Sequence, residues 1–105
     1  MRESQYQAGL IKELKDRFRG CIVLKNDPEY LQGIPDLLVL IGPMWFALEV
    51  KASRAAPLQP NQEWWIEEMA GLSHAWFIYP ENEEEVLNAI QSALESRRAT
   101  RVFVR

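Results

Sequence analysis

The stretch "GIPDLLVLIGPMWFALEVKAS", residues 33–53, decides how this chain folds. Two apolar runs flank Gly42-Pro43, a turn signal, so residues 35–41 and 44–52 read as the strands of a hairpin. Pro35 takes the first residue of its strand, where a missing N–H is tolerated. Folding the chain back on that turn sets Asp36 opposite Glu49, with Cβ atoms about 5 Å apart. Glu49 and Lys51 are two residues apart and therefore point to the same face. Two carboxylates at that spacing repel by about 3 kcal/mol at an effective dielectric of ~20. A divalent cation removes that cost, and oxygen donors of this kind suit Mg²⁺. An ammonium group beside the cation can orient an attacking water and offset charge building on a phosphate. E-x-K alone arises by chance in about a third of chains this long, given charged-residue frequencies of ~6% for each type. Pro35-Asp36 at matching register is what gives it weight. The bland alternative is a Glu49–Lys51 ion pair at the surface.

Working outward, residues 3–19 fit an amphipathic helix in which Leu10, Ile11, Leu14 and Phe18 share one side, with Gly20 as its stop. Residues 21–25 form a short strand, and 26–34, rich in turn formers, a loop. After the hairpin, 53–60 is a loop. Pro60 opens a helix that runs to about Ala70 and stops at Gly71. Residues 74–79 are an apolar strand. Asn82 with Glu85 resembles a capping box for a helix that buries Val86, Leu87, Ile90 and Leu94. Residues 101–104, "RVFV", read as a last strand. The order αβββαβαβ implies an α/β fold, a mixed sheet flanked by helices.

Polar residues intrude on two apolar helix faces. Glu3 and Gln7, one turn apart, fall on the apolar side of the first helix, and Gln62 shares a face with Trp65, Ile66 and Met69. Polar groups facing a core need partners, so these three point toward the polar site of the hairpin. Fraying of the helix end would equally account for Glu3, and capping of its own helix for Gln62. Trp64 and Trp65 cannot both face inward. Trp65 takes the core side, which leaves Trp64 for a partner surface or the rim of the site. His74 and Cys21 read as structural residues.

The chain has 105 residues, 48% hydrophobic and 26% charged, the composition of a single globular domain spanning 1–105. No apolar run approaches the ~20 residues needed to cross a bilayer, so no membrane partner is expected. The polar N-terminus does not read as a signal peptide. One cysteine and one histidine allow neither an internal disulfide nor a zinc site, and they suit a reducing, cytoplasmic setting. The net charge is −3, unevenly spread. Residues 1–25 carry six Lys/Arg against three acids, residues 26–96 two against twelve, and residues 97–105 four against none. Solvated charge explains this pattern as readily as phosphate contacts do.

Taken in order, Glu3 with Gln7, Asn26, Gly33-Ile34-Pro35-Asp36-Leu37, Glu49-Val50-Lys51 and "LQPNQ" ending in Gln62 resemble the VRR-NUC domain, a branch of the PD-(D/E)XK nuclease superfamily. Gln59 departs from the pattern, since a serine or similar helix cap usually stands there. The resemblance implies a restriction-endonuclease-like fold and hydrolysis of DNA phosphodiesters with Mg²⁺ or Mn²⁺. It implies that Asp36, Glu49, the Val50 carbonyl and Glu3 serve the metal, that Lys51 serves the nucleophile, and that Gln7 and Gln62 steady the site. Asn26, Arg54, Arg97 and Arg98 are the candidate DNA contacts. Stand-alone domains of the family imply a homodimer cutting branched DNA such as four-way (Holliday) junctions. The competing expectations are an inert α/β interaction module that uses Trp64, and a nuclease acting on linear or flap DNA. With one metal bound the net charge becomes −1, so the acidic balance does not exclude a DNA partner.

Overall fold

The hairpin forms at the expected register. In a computed structural model, β2 (Leu37–Ile41) runs antiparallel to β3 (Met44–Val50), with Leu37 paired to Leu48 and Ile41 to Met44. The structure describes residues 1–104, with side chains as far as Arg97. Gly42 makes the turn at φ 57°, a conformation open to glycine at little cost. β1 (Ile22–Lys25) adds antiparallel to β2, and β4 (His74–Ile78) adds parallel to β3. The result is a four-stranded mixed sheet in the order β1-β2-β3-β4.

A parallel neighbour needs a crossover connection, and α2 (Gln62–Leu72) supplies it between β3 and β4. α1 (Glu3–Arg17) precedes the sheet and α3 (Glu83–Val104) follows it. Strand alternation then divides the core in two. Leu37, Val39, Phe46, Leu48, Val50 and Ile78 face α1 and α3, where they meet Leu10, Leu14, Leu87 and Ile90. The residues between them face the other way. Ala47 and Ala75 pack there under Ile66 of α2, flanked by Leu38, Trp45, Met69 and Phe77. Asp36, Glu49 and Lys51 follow that second parity, so the polar site lies on the α2 side of the sheet. The far part of that side carries no helix, and Ile22 and Leu24 of the edge strand β1 stay 56% and 44% exposed.

Several expected boundaries move. The strand expected at 101–104 is instead the end of α3. No glycine or proline interrupts residues 83–104, so nothing stops the helix, and a four-residue run of strand-favouring character does not displace it. Asn82 stands just before α3, its carbonyl accepting the Val86 N–H at 3.0 Å, but its side chain is bonded the other way. Its Oδ1 accepts the Tyr79 N–H at 2.9 Å and its amide donates to the Phe77 carbonyl at 2.9 Å, which closes the turn out of β4 instead. Pro60 lies two residues before α2, and Asn61, in the left-handed region at φ 70°, leads into it. Gly71 lies inside α2, which ends at Leu72. Trp65 is half-buried, its indole donating to the Gln32 carbonyl at 3.1 Å, while Trp64 is 54% exposed. His74 stacks with Phe46 and with Trp76, ring centroids 5.2 and 5.7 Å away, and those two rings lie 6.3 Å from each other, so its role in the fold is packing.

Candidate active site

The open end of the hairpin gathers the ionisable groups. Asp36, just before β2, accepts the Val50 N–H on Oδ2 at 2.9 Å, so one carboxylate is fixed to the backbone of the opposite strand. Asn26 fastens the same segment from behind. Its N–H donates to the Asp36 carbonyl at 2.9 Å and its side-chain amide to the Pro35 carbonyl at 2.8 Å. Glu49 is 2% exposed. Its Oε2 accepts the Gln62 amide at 3.1 Å, while its buried Oε1 has no hydrogen-bond partner.

That pairing sets the electrostatics. Burial first, then the Asp36 carboxyl beside it, pushes the Glu49 acid up to about 9; Glu3 adds a smaller push the same way and Lys51 opposes it. Without a cation, Glu49 therefore keeps its proton at neutral pH. Lys51 is buried, and its ammonium donates to the Pro57 carbonyl at 3.0 Å. One of its three donors is thus spent on the loop that follows β3.

Gln62 serves both purposes that its position allowed. Its amide nitrogen reaches Glu49, and its Oε1 accepts the Gln59 N–H at 2.9 Å, closing the turn that begins α2. Gly33 makes this approach possible. It sits at φ 84°, and a Cβ there would lie 2.6 Å from the Pro60 carbonyl oxygen and 2.7 Å from Asn61. Only a residue without a side chain lets the Gly33–Asp36 segment and the Pro60–Gln62 turn meet.

The remaining candidates stand further off. Glu3 is exposed rather than seated on the apolar stripe, although its charge is felt at Glu49. As the first residue of α1 its side chain leans off the helix end, since helical side chains tilt toward the N-terminus. Tyr6 takes the buried place instead, and its hydroxyl donates to Glu83 at 2.8 Å. Gln7 is half-buried and makes no side-chain hydrogen bond to another described residue. Arg54 is exposed, with its guanidinium over the Tyr79 ring and its N–H on the Glu81 carboxylate. Arg97 lies beside the Gly42-Pro43 turn, the opposite end of the hairpin from Asp36 and Glu49. Arg97 therefore does not flank the carboxylates. The Arg98 side chain lies outside the described residues.

Among the described residues, no three Asp, Glu, His or Cys side chains gather closely enough to hold a metal ion between them. The acid set is a pair. Two carboxylates, one with a buried oxygen lacking any donor, are a hard-oxygen set that fits Mg²⁺, which binds through one or two carboxylates and keeps several waters. The roles of Gly33 and of the Pro57 carbonyl escaped the sequence reading. The first stood inside the quoted motif, and a positive φ there was its only signal. A backbone acceptor leaves no signal at all.

No protein-family model matches the chain, and no curated protein or solved structure is similar enough to count as a match. No helix among the described residues is long and apolar enough to cross a membrane. What can be stated of the class is an α/β protein with a helix-flanked mixed sheet and a paired-carboxylate site at the mouth of its central hairpin.

Proposed function

We propose that this chain is a metal-dependent endodeoxyribonuclease that hydrolyses DNA phosphodiesters. The observation that carries the reading is Glu49, a buried carboxyl held against Asp36 with one oxygen unpartnered and its acid pushed up to about 9. Structure has no evident use for such a pair, and functional sites are where strongly shifted acids concentrate. Asp36, Glu49 and the Val50 carbonyl would hold Mg²⁺ or Mn²⁺, with Glu3 at the margin. When bound, the cation neutralises the two carboxylates and polarises the phosphate.

The chain's own residues do the rest. Gln62 and the Val50 N–H keep the two carboxylates in fixed orientations. Asn26 holds the Pro35-Asp36 segment in register. Lys51, with two N–H donors left, orients the attacking water and offsets charge on the phosphate oxygens. Water oxygen bonds to phosphorus, the bond to the leaving oxygen breaks, and that oxygen takes up a proton.

The order of Glu3, Gly33, Pro35-Asp36, Glu49-x-Lys51 and Gln62 supports membership of the VRR-NUC branch of the PD-(D/E)XK nucleases. That membership favours a homodimer acting on branched DNA such as four-way junctions in a cytoplasmic setting. The uncovered sheet side with Ile22 and Leu24 is a surface on which a second copy would sit. The same exposed residues, with Trp64, favour the second reading, an inert interaction module.

Incubation of the purified protein with labelled four-way, flap and linear duplex DNA in Mg²⁺, then in EDTA, separates these readings. Cleavage that needs Mg²⁺ and is lost in Lys51→Ala supports the nuclease. An unreactive wild-type protein on all three substrates would leave the interaction module. Mass in solution tests the dimer.

A further inference from the structure

Arginines from the two basic ends of the chain, far apart in sequence, line one recess. Arg17 and Arg19 come from the end of α1, and Arg97 from α3. A recess of about 300 Å³ beside the Gly42-Pro43 turn is lined by both Arg19 and Arg97, together with Ile41 and Leu94. A second recess, about 320 Å³, shares Arg19, Ile41 and Leu94 with it and is bounded by Arg17 and Phe18. Among the described residues, no carboxylate lines either one. Arg17 is already occupied, with Glu84 at 3.1 Å and Asn88 at 2.6 Å. Arg19 and Arg97 are exposed, and neither makes an ion pair or side-chain hydrogen bond with another described residue. The turn that floors the recess is glycine and proline, and the space where a Cβ of Gly42 would stand is open.

The carboxylate pair sits at the other end of the same hairpin and on the α2 side of the sheet, whereas Ile41, Leu94 and Phe18 belong to the α1/α3 side. From Asp36 to Gly42 is six residues, about 20 Å at the rise of a strand. Arg19 and Arg97 thus form a basic pole separate from the carboxylate site. Two guanidiniums without a partner among the described residues, lining one recess, are suited to backbone phosphate, which arginine grips through paired N–H donors. Such a pole draws in a polyanion despite a net charge of −3.

We propose that Arg19 and Arg97 form a second DNA-backbone contact, about 20 Å along the strand from the carboxylate pair and on the α1/α3 side of the sheet. The inference rests on the nuclease reading for its partner class. It names where the duplex is held away from the point of reaction. The contact is to phosphate, so it adds affinity without reading sequence.

The test is binding of a labelled 30-base-pair duplex in Ca²⁺ across a salt series, by wild type, the Arg19→Ala/Arg97→Ala double variant, and Lys12→Ala as a control on the solvent side of α1. Circular dichroism and melting confirm that each is folded. The double variant should bind roughly tenfold more weakly or worse, and its slope of log K against log salt should fall by about 2, at ~0.9 for each phosphate no longer neutralised. Lys12→Ala should keep the wild-type slope. An unchanged slope and affinity in the double variant would overturn the contact, as would a wild-type protein that binds no duplex at all. Equal losses in Lys12→Ala would overturn it too, because the effect would then be general charge. A wild type that binds with the expected slope but never cleaves in Mg²⁺ would remove the nuclease reading and leave the basic contact standing.

Discussion

Glu49 ties the stability of this protein to pH in an unusual direction. An ordinary glutamate in an unfolded chain titrates near 4.5, whereas in the fold Glu49 is pushed up to about 9. Between those values the folded state holds one proton that the unfolded state has released. Stability is therefore full below about 4.5, falls as pH rises through the window, and levels off above about 9. One proton taken up on folding corresponds to a tenfold loss in the folding constant per pH unit. From pH 6 to pH 8 the loss is a hundredfold, about 3 kcal/mol, and for a chain of this length it lowers the melting temperature by roughly 10 °C. The assay is thermal melting in EDTA at half-unit pH steps, for wild type and Glu49→Gln. The wild type should lose stability across the window and Glu49→Gln should run nearly flat. Saturating Mg²⁺ should remove or reverse the wild-type slope, since the cation binds only the ionised pair. Parallel curves for the two proteins in EDTA would refute the idea that Glu49 carries the proton. A wild-type slope unaffected by Mg²⁺ would refute the pair as a metal site.

Three substitutions probe the surrounding residues. Asp36→Asn should raise the metal-free melting temperature by several degrees at pH 8–9 and abolish the response to Mg²⁺. Its Oδ1 still accepts the Val50 N–H, its amide can face the unpartnered Glu49 oxygen, and a drop in that temperature would make Asp36 a structural residue. Lys51→Ala should cut the cleavage rate at least a hundredfold while far-ultraviolet circular dichroism stays native; wild-type cleavage would remove Lys51 from the chemistry. Gly33→Ala combines a strained positive φ with a contact shorter than 3 Å, so denaturant titration should show a loss of about 2–4 kcal/mol. Cleavage should fall with it, because the turn that carries Gln62 is displaced.

The central hairpin was legible because three independent signals agree: the Gly42-Pro43 turn, the apolar runs on either side, and acids placed where the register makes them neighbours. Gln62 was legible for a related reason, as a polar group on an apolar helix face, and it does reach Glu49. Glu3 shows the limit of that reasoning. A helical wheel gives an angle but not a height, and the first residue of a helix can share the buried side yet project past its end. Asn82 misled because a side chain able to cap a helix is equally able to close the turn before it, and only the position of the Tyr79 N–H decides. Lys51 was placed correctly near Glu49, but its acceptor, the Pro57 carbonyl, could not be foreseen, since every residue presents the same carbonyl. The gathering of Arg19 with Arg97 depends on where two chain ends fall in space, which local sequence does not encode.

The loop between β3 and α2 is anchored at both ends to one point. Lys51 enters it bonded to Pro57, and Gln62 leaves it bonded to Glu49. Between them, the Arg54 N–H rests on the Glu81 carboxylate and its guanidinium on the Tyr79 ring. Lengthening such a closed loop costs little, about 0.6 kcal/mol per doubling. An insertion between Arg54 and Ala55 would open the turn that the Ala56 N–H closes on the Ser53 carbonyl, while the Lys51–Pro57 and Gln62–Glu49 bonds keep the two ends of the loop beside Asp36 and Glu49.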